Sequence, residues 1–415
     1  MFLNFSFCIN YGLAGCCSVP LPSLAVTFGA AALLLAALFF TGPAMAVQAS
    51  RLRVFGAIEN SFGSIPTLAL RLCAIVVTAS WIADLLAVPN LWALSRVPAR
   101  EPSTSVTGFM AAGLLVFLFL TGSRNFRTSA RLALFTCKLC LAVLIAAFIR
   151  VHDGWAAIPA GFPAASSTPT IEPLWYELSR VAFYAAPLAL MAADFAFRQE
   201  RKHVAFTGLA GIALPLFIAL SFSGAIGVAT LASGLYRPSL NPTVAMALFS
   251  DVAKSATRGR MLVAAITTFG ALRFAVRALR DSAPVRPLGK SRWILIGCLI
   301  AAIAGLALRP YGAYAAAIGK ASEAAATCLT IAGAVLTADF LTGWVRLARR
   351  QSIDWVGGAA LLAGLAIPYC HPYKYVWGVD HYWLLRPMPS YTVAFFIGLC
   401  GRPIQKALAP SEFVP

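Results

Sequence analysis

The sequence predicts an all-α polytopic membrane protein with about twelve transmembrane helices. Composition is the first reason: 60% of the 415 residues are hydrophobic and only 12% are charged, whereas a soluble domain carries about a quarter charged residues. The second reason is that the apolar residues fall into long runs, since a helix needs about 20 apolar residues to cross a bilayer. The predicted spans are Phe2–Val19, Leu21–Val47, Ile65–Trp92, Val106–Thr121, Leu132–Ile149, Leu178–Phe197, Ala205–Gly234, Met261–Arg277, Trp293–Leu308, Glu323–Val345, Val356–Tyr369 and Tyr391–Leu408.

The formal net charge of +18 is spread over short loops between these runs. A strongly basic soluble surface would indicate nucleic-acid binding, but this loop pattern indicates membrane topology, with lipids and not nucleic acid around the protein. With the N-terminus inside, the cytoplasmic loops hold the larger share of Lys and Arg, Arg402 and Lys406 among them, as the positive-inside rule requires. Both termini are therefore predicted to be cytoplasmic. Because the tails are minimal, a bacterial inner membrane is expected.

One stretch of the sequence predicts a binding pocket. It begins with the turn-forming residues Asn60, Gly63 and Pro66, which predict a loop, and it continues as an apolar helix. In that helix Trp81 and Asp84 are three residues apart, so they lie on one face. A carboxylate within a membrane span usually faces a bundle interior or a hydrated cavity. The stretch therefore predicts a polar, aromatic-walled pocket inside the bundle.

Two apolar runs contain residues that interrupt a helix. In the first run these are Asn10 and Gly12, next to Ile9, and in the sixth run Pro187 removes one backbone hydrogen bond. Carbonyl groups freed at such breaks form ion and substrate sites in transporters, and breaks at corresponding positions indicate an inverted repeat. The sequence therefore predicts one transmembrane domain over residues 1–408, with repeats at 1–150 and 175–346, two further helices at 353–408, and a cytoplasmic tail at 409–415.

Charged residues inside the runs are the next candidates. Lys138 falls near mid-depth, where an ammonium group needs a carboxylate or a set of carbonyl groups. Arg273 either extends its guanidinium to the inner interface or faces the pocket. Asp194 and Asp339 end their spans beside basic loops, which favours helix-end caps and ion-pair partners over ligands.

Thr267 and Thr268 lie in the eighth run, before Arg273. Hydroxyl groups in a span usually bond back to their own helix. Opposite the carbonyl groups of an interrupted first helix, they would also supply oxygen ligands for a small hard cation such as Na⁺.

The sequence does not predict an enzyme or a bound cofactor. It has only four histidines, His152, His203, His371 and His381, and none has a second ligand at a spacing typical of metal sites. It also has no glycine-rich phosphate loop and no nucleophile motif.

Three segments match a family pattern in order and spacing. They are Ser61-Phe62-Gly63 with Ile65-Pro66, Arg71 and Trp81; Ala193-Asp194-Phe195 with Arg198; and Ala338-Asp339-Phe340 with Asp354-Trp355 and Gly357-Gly358. On these residues the chain resembles the nucleobase–cation symporter-1 family of purine, cytosine and allantoin permeases. The resemblance implies the leucine-transporter fold, with helices 1–5 and 6–10 as inverted repeats.

The resemblance also implies roles for several residues. Trp81 falls where the family stacks one face of a heterocycle, and Thr267 and Thr268 fall on the hydroxyl pair that helps to bind sodium. Lys138 is similar to a lysine that replaces sodium in related transporters, which would couple transport to protons. The departures from the family pattern lie at substrate positions: Leu85 replaces a glutamine, Arg273 replaces an asparagine, and the sixth-helix aromatic falls near Ala185, with Phe183 and Tyr184 as its substitutes.

The function predicted is cation-coupled secondary transport of a nucleobase or related heterocycle by alternating access, with Na⁺ or H⁺ as the coupling ion. Two alternatives remain open. Arg273 would suit an amino acid or another small carboxylate as the substrate, because a guanidinium binds a carboxylate bidentately. The loss of the two amide side chains also fits a transport-inactive membrane scaffold or sensor that keeps the fold.

Overall fold

The computed structural model of the protein describes residues 36–77, 186–187, 189–198, 200–208, 214, 312–344, 353–367 and 387–408. The regular elements in these ranges are helical, as predicted. A π-helix, Ala36–Thr41, precedes the first α-helix, and a 3₁₀-helix, Ala193–Arg198, precedes the fourth. In chain order the α-helices are α1 (Gly42–Ser50), α2 (Val54–Phe62), α3 (Ser64–Val77), α4 (Arg201–Gly208), α5 (Gly312–Leu341), α6 (Trp355–Ala366) and α7 (Pro387–Leu408).

The chain divides into two compact units. One comprises Met1–Leu24, Thr78–Pro169 and Ile218–Lys320, and the other comprises Ala25–Val77, Thr170–Phe217 and Ala321–Pro415. Apart from the start of α5, the described helices belong to the second unit. The two successive repeats expected at residues 1–150 and 175–346 stay a prediction.

One helical segment in the described ranges is long and apolar enough to cross a membrane. This segment, Ala321–Leu341 of α5, has a mean hydropathy of 1.7. Two shorter helices, α3 and α6, are also apolar. Many residues of the predicted spans lie outside the described ranges, so the number of spans stays a prediction.

The loop predicted over Asn60, Gly63 and Pro66 is confined to Gly63. Asn60 lies in the last turn of α2, and Pro66 lies in the first turn of α3, where a missing N–H group removes no helical hydrogen bond. Gly63 adopts a φ of 89°, a value that glycine reaches without strain. Two helices therefore meet at a single residue, and α2 is an element that the sequence did not predict.

Close packing by small residues holds α5 against its neighbours. Glycines on α1, α6 and α7 face α5 side chains so closely that an added Cβ would collide: Gly42 with Thr337, Gly364 with Ile331, and Gly398 with Ala338. Small residues at helix interfaces let backbones approach and increase van der Waals contact. The C-terminal half of α5 therefore packs closely against α1, α6 and α7.

The sixth predicted span is described in part. Residues 186–187 and 189–192 are helical, and the backbone tightens to a 3₁₀-helix at Ala193–Arg198. This change follows Pro187 by several residues. Whether Pro187 opens a substrate or ion site depends on partners outside the described residues, so its predicted role is untested.

Candidate functional site

The residues predicted to bind substrate and cation lie outside the described residues, so their arrangement stays a prediction. The predicted substrate-binding residues are Asn10, Trp81, Asp84, Leu85, Phe183, Tyr184, Ala185 and Arg273. The predicted cation-coupling or proton-coupling residues are Ile9, Gly12, Lys138, Thr267 and Thr268. The site that can be built from the coordinates is a different one.

The described residues contain a buried polar cluster, here named the Arg402 cluster. It consists of Ser61, Asp339, Asp354, Arg402 and Gln405, all of them buried. Three of these residues belong to segments that carry the family resemblance. Residues far apart in the sequence therefore meet in one place within the second unit.

Helix ends place the members of this cluster. Ser61 lies in the last turn of α2, Asp339 lies in the last turn of α5, and Asp354 is the N-cap of α6. Arg402 and Gln405 lie three residues apart on α7, so they share a face. Groups left unpaired at helix ends need polar partners when they are buried.

The guanidinium of Arg402 uses every N–H group that it has. Its Nε donates to Asp339 Oδ1 at 2.6 Å, and its Nη1 donates to Asp354 Oδ1 at 2.7 Å and to Gln405 Oε1 at 2.8 Å. Its Nη2 donates to the Ser61 carbonyl oxygen at 2.8 Å and to Asp339 Oδ2 at 3.3 Å. A guanidinium has five N–H groups, so each of them has an acceptor.

An aromatic ring covers the guanidinium. Arg402 Cζ lies 4.6 Å from the centre of the Trp344 ring, a distance typical of cation–π contacts. A guanidinium is planar, forms forked hydrogen bonds and stacks on an aromatic ring, so arginine suits this site better than lysine.

Asp354 connects three helices. Its Oδ1 accepts a hydrogen bond from the backbone N–H of Gly357 at 3.0 Å, which caps α6, and its Oδ2 accepts one from Gln405 Nε2 at 2.9 Å. Its own backbone N–H donates to the Phe62 carbonyl oxygen at 2.8 Å. The positive end of the α6 dipole stabilises this carboxylate.

Asp339 has a different environment. It lies at the C-terminal end of α5, where the helix dipole disfavours a negative charge. Its Oδ2 is in close hydrogen-bonding contact with the Ser61 hydroxyl group. That hydroxyl also lies 3.0 Å from the Ala57 carbonyl oxygen. The two carboxylates of the cluster are thus not equivalent.

A cavity of about 290 Å³ reaches Asp339. Its polar lining includes Asn60, Ser61, Arg201 and Asp339, and Trp344 forms part of the wall. Some lining residues, Arg201 among them, are exposed, so the cavity opens to the surface. The guanidinium of Arg201 lies over the ring of another lining residue, Phe340, with its Cζ 5.4 Å from the ring centre.

Asp194 caps a helix, as its position at the end of a span predicted. Its Oδ1 accepts a hydrogen bond of 3.1 Å from the backbone N–H of Val54, the first residue of α2. The helix that receives the cap is not its own, because Asp194 lies in the 3₁₀-helix Ala193–Arg198.

One sequence interpretation needs correction. The loop-charge pattern places Arg402 among the loop cations, but its side chain is fully buried. Asp339 is an ion-pair partner, as its position predicts, and the pair described for it is with Arg402, with Nε and Oδ1 2.6 Å apart. The basic loop that follows Asp339 lies outside the described residues, so a pair with that loop stays a prediction. The signal for the Arg402 pair is an arginine inside the last apolar run, where a buried charge requires a partner.

Known proteins resemble this chain in structure and not detectably in sequence. No family model and no curated protein matches the sequence. A structure of Mhp1 in its inward-facing conformation matches with a TM-score of 0.69 at 15% identity, covering 98% of this chain and 90% of that one.

Two further structures show other conformations. Mhp1, described as a nucleobase-cation-symport-1 family transporter in a closed conformation with bromovinylhydantoin bound, matches at a TM-score of 0.66 and 13% identity, covering 99% of this chain and 92% of that one. A Na⁺-coupled sialic acid symporter in a substrate-bound, outward-open state matches at 0.52 and 11% identity, covering 96% and 89%. These neighbours are integral membrane transporters with the leucine-transporter fold. At these identities the likeness establishes the fold, and the chain therefore has the leucine-transporter fold that its resemblance predicted.

Proposed function

We propose that the protein is a secondary transporter that moves a nucleobase or a related heterocycle across a membrane by alternating access, coupled to Na⁺ or H⁺. In this proposal it is a multi-pass protein of the nucleobase–cation symporter-1 family, with both termini cytoplasmic in a bacterial inner membrane. Helices 1–5 and 6–10 form the inverted repeats, and helices 11 and 12 are appended.

The observation that carries the proposal is the extent of the structural likeness. The matches to Mhp1 cover 98% and 99% of this chain, so the likeness is not limited to one helical bundle. The matched proteins were captured in inward-facing, closed and outward-open conformations. A fold that occurs in these three states is suited to alternating access.

The substrate site proposed here rests on the sequence. Trp81 would stack on one face of a planar ring, which contributes about 1–3 kcal/mol by analogy with bases on aromatic side chains. A cation bound at Thr267 and Thr268 would favour the conformation for which it has the higher affinity. Lys138 is the alternative, as a group that carries a proton in place of the sodium ion.

A second substrate class is favoured by one residue. Arg273 stands where the resembled family has a neutral amide, and a guanidinium binds a carboxylate through two parallel hydrogen bonds. One of the structural neighbours is a sialic acid symporter, and sialic acid is a carboxylate. An amino acid or another small carboxylate is therefore the second candidate.

The test is uptake in reconstituted vesicles, with and without an inward sodium gradient and with and without a proton gradient. Radiolabelled uracil, cytosine, hydantoin and a set of amino acids would be compared. We expect gradient-driven accumulation of one heterocycle, with competition from unlabelled heterocycles and none from amino acids.

Two outcomes would contradict this proposal. Competition by amino acids alone would transfer the function to the second candidate. A failure of every compound to accumulate, with no change in the melting temperature on adding any of them, would favour a transport-inactive scaffold or sensor.

A further inference from the structure

Two cysteine thiols meet between α3 and α5. The side chains of Cys73 on α3 and Cys328 on α5 are in hydrogen-bonding contact, and both cysteines are free. They come from two predicted spans far apart in the chain, Ile65–Trp92 and Glu323–Val345. A single cysteine in an apolar helix usually serves as a small apolar side chain. Two thiols in contact can also react with each other.

The packing of α3 directs Cys73 toward the neighbouring helices. Leu70, Ala74 and Val77 form a buried face of this helix. Cys73 lies three residues after Leu70 and four before Val77, so it shares that face. Its side chain is half-buried, and the adjacent Leu72 is exposed. Cys73 therefore lies at the border between the packed and the exposed side of α3.

Cys328 has the same kind of position on α5. Ala325, three residues before it, and Ala332, four residues after it, are both buried, whereas the side chain of Cys328 is half-buried. Two packed helices thus hold the thiols in place and leave part of each accessible. Reactivity of a cysteine toward oxidants requires such access.

The contact also suits a bond between the two sulfur atoms. A disulfide has a sulfur–sulfur distance of about 2 Å, and it cannot form between side chains that point apart. The side chains of Cys73 and Cys328 point toward each other, since their thiols touch. A change of side-chain rotamer with a small adjustment of helix spacing is then the remaining step.

We propose that Cys73 and Cys328 form a redox-sensitive pair, which a peroxide converts to a disulfide that joins α3 to α5. One sulfur attacks an oxygen of the peroxide, the O–O bond breaks, and a sulfenic acid and a water molecule form. The second thiol attacks the sulfenic sulfur, the S–S bond forms, and a second water molecule leaves. The two thiols lose two electrons and two protons, and hydrogen peroxide is reduced to two molecules of water.

The reduced pair is the form present in this structure. Cellular thiols reverse such a bond by thiol–disulfide exchange, and they keep cytosolic cysteines reduced. A disulfide would hold α3 and α5 together at the level of the pair. The predicted span that contains α3 continues to Trp81, so an effect of the bond on uptake rests on the proposed function. Formation of the bond does not.

Peptide mapping by mass spectrometry of the full-length protein in lipid vesicles tests the proposal. The wild type would be titrated with hydrogen peroxide, its free thiols alkylated under denaturing conditions, and the protein digested without reductant. We expect a linked peptide pair joining Cys73 to Cys328, lighter by two hydrogen atoms than its separate parts. Dithiothreitol added before alkylation should abolish it.

Three variants show whether the two thiols act as a pair. In Cys73→Ser and Cys328→Ser the remaining sulfenic acid has lost its partner, so dimedone, which traps sulfenic acids, should label the remaining thiol more than in the wild type. Cys400→Ser is the matched control, because Cys400 is an exposed cysteine of α7. This variant should form the linked peptide as the wild type does.

The result in the wild type decides the proposal even where a variant does not fold. Recovery of Cys73 and Cys328 only as unlinked peptides, at every peroxide concentration up to one that oxidises Cys400, would overturn it. A link from either residue mainly to another cysteine would overturn it as well. So would equal dimedone labelling of the wild type and the single variants, which would show that the thiols are oxidised independently.

Discussion

Gly357 of α6 packs directly against the carbonyl oxygen of Ser61 in α2. A Cβ atom at residue 357 would overlap that oxygen and would lie 2.9 Å from Phe62 Cα. The same carbonyl oxygen accepts a hydrogen bond of 2.8 Å from Arg402 Nη2. The absence of a side chain at residue 357 thus allows the end of α2 to reach the Arg402 cluster.

Gly357→Ala should destabilise the protein by about 1–3 kcal/mol, because an added methyl group in a close-packed interface forces backbone to move. Gly358→Ala is the matched control, since among the described residues its Cβ would meet only Ile353 Cγ2, at an ordinary 3.6 Å. Both variants gain the same helix propensity. Thermal unfolding in detergent would compare them, and equal melting temperatures would show that the α2–α6 contact is looser than described.

Arg402→Met should destabilise the protein by about 3–5 kcal/mol, because it leaves buried carboxyl groups without their cation. Arg402→Lys should restore only part of this loss, since an ammonium group cannot reproduce the fork that reaches both carboxyl groups. Lys406→Met, an exposed cation one turn further along α7, is the control and should change little. A wild-type melting temperature for Arg402→Met would show that the Arg402 cluster does not stabilise the fold.

Trp81→Ala should weaken heterocycle binding by about one to two orders of magnitude, which corresponds to the loss of about 1–3 kcal/mol of stacking. The measurements are the dissociation constant of the purified protein and uptake in vesicles, with the melting temperature as a check on folding. Trp355→Ala, at a half-exposed tryptophan at the start of α6, controls for the loss of an indole ring. Full uptake by the Trp81→Ala variant would show that the substrate does not bind at Trp81.

The variants Thr267→Ala and Thr268→Ala should raise the Na⁺ concentration needed for half-maximal uptake, because each removes an oxygen ligand of a hard cation. Thr330→Ala is the control, since that hydroxyl bonds to the Ala326 carbonyl oxygen of its own helix at 2.8 Å. If Lys138→Met abolishes gradient-driven uptake while both threonine variants behave as the wild type, protons and not sodium drive transport.

The sequence predicted the features that depend on residues close to one another in the chain. Long apolar runs predicted helices that the structure has in its described ranges, and the position of Asp194 at the end of a span predicted a cap. Helix α2 was missed because Asn60 and Pro66 favour turns in general, although the last turn of one helix and the first turn of the next accept them.

The Arg402 cluster was not predictable from local patterns. It brings together residues from four separate segments, and no periodicity in a single sequence reports a pairing between Ser61 and Arg402. The family pattern did select Ser61, Asp339 and Asp354, but it gave no reason why they belong together. That reason is the shared guanidinium of Arg402, which the loop-charge pattern places among the cytoplasmic loop cations.

The position of Arg402 in the chain also bears on biosynthesis. Ser61, Asp339 and Asp354 leave the ribosome before the arginine that joins them, so the end of α2 cannot reach its final contacts until the last described helix has entered the membrane. A nascent protein that ends before that helix lacks the guanidinium to which Ser61, Asp339 and Asp354 all bond, so the cluster assembles only after all four of its segments have been synthesised.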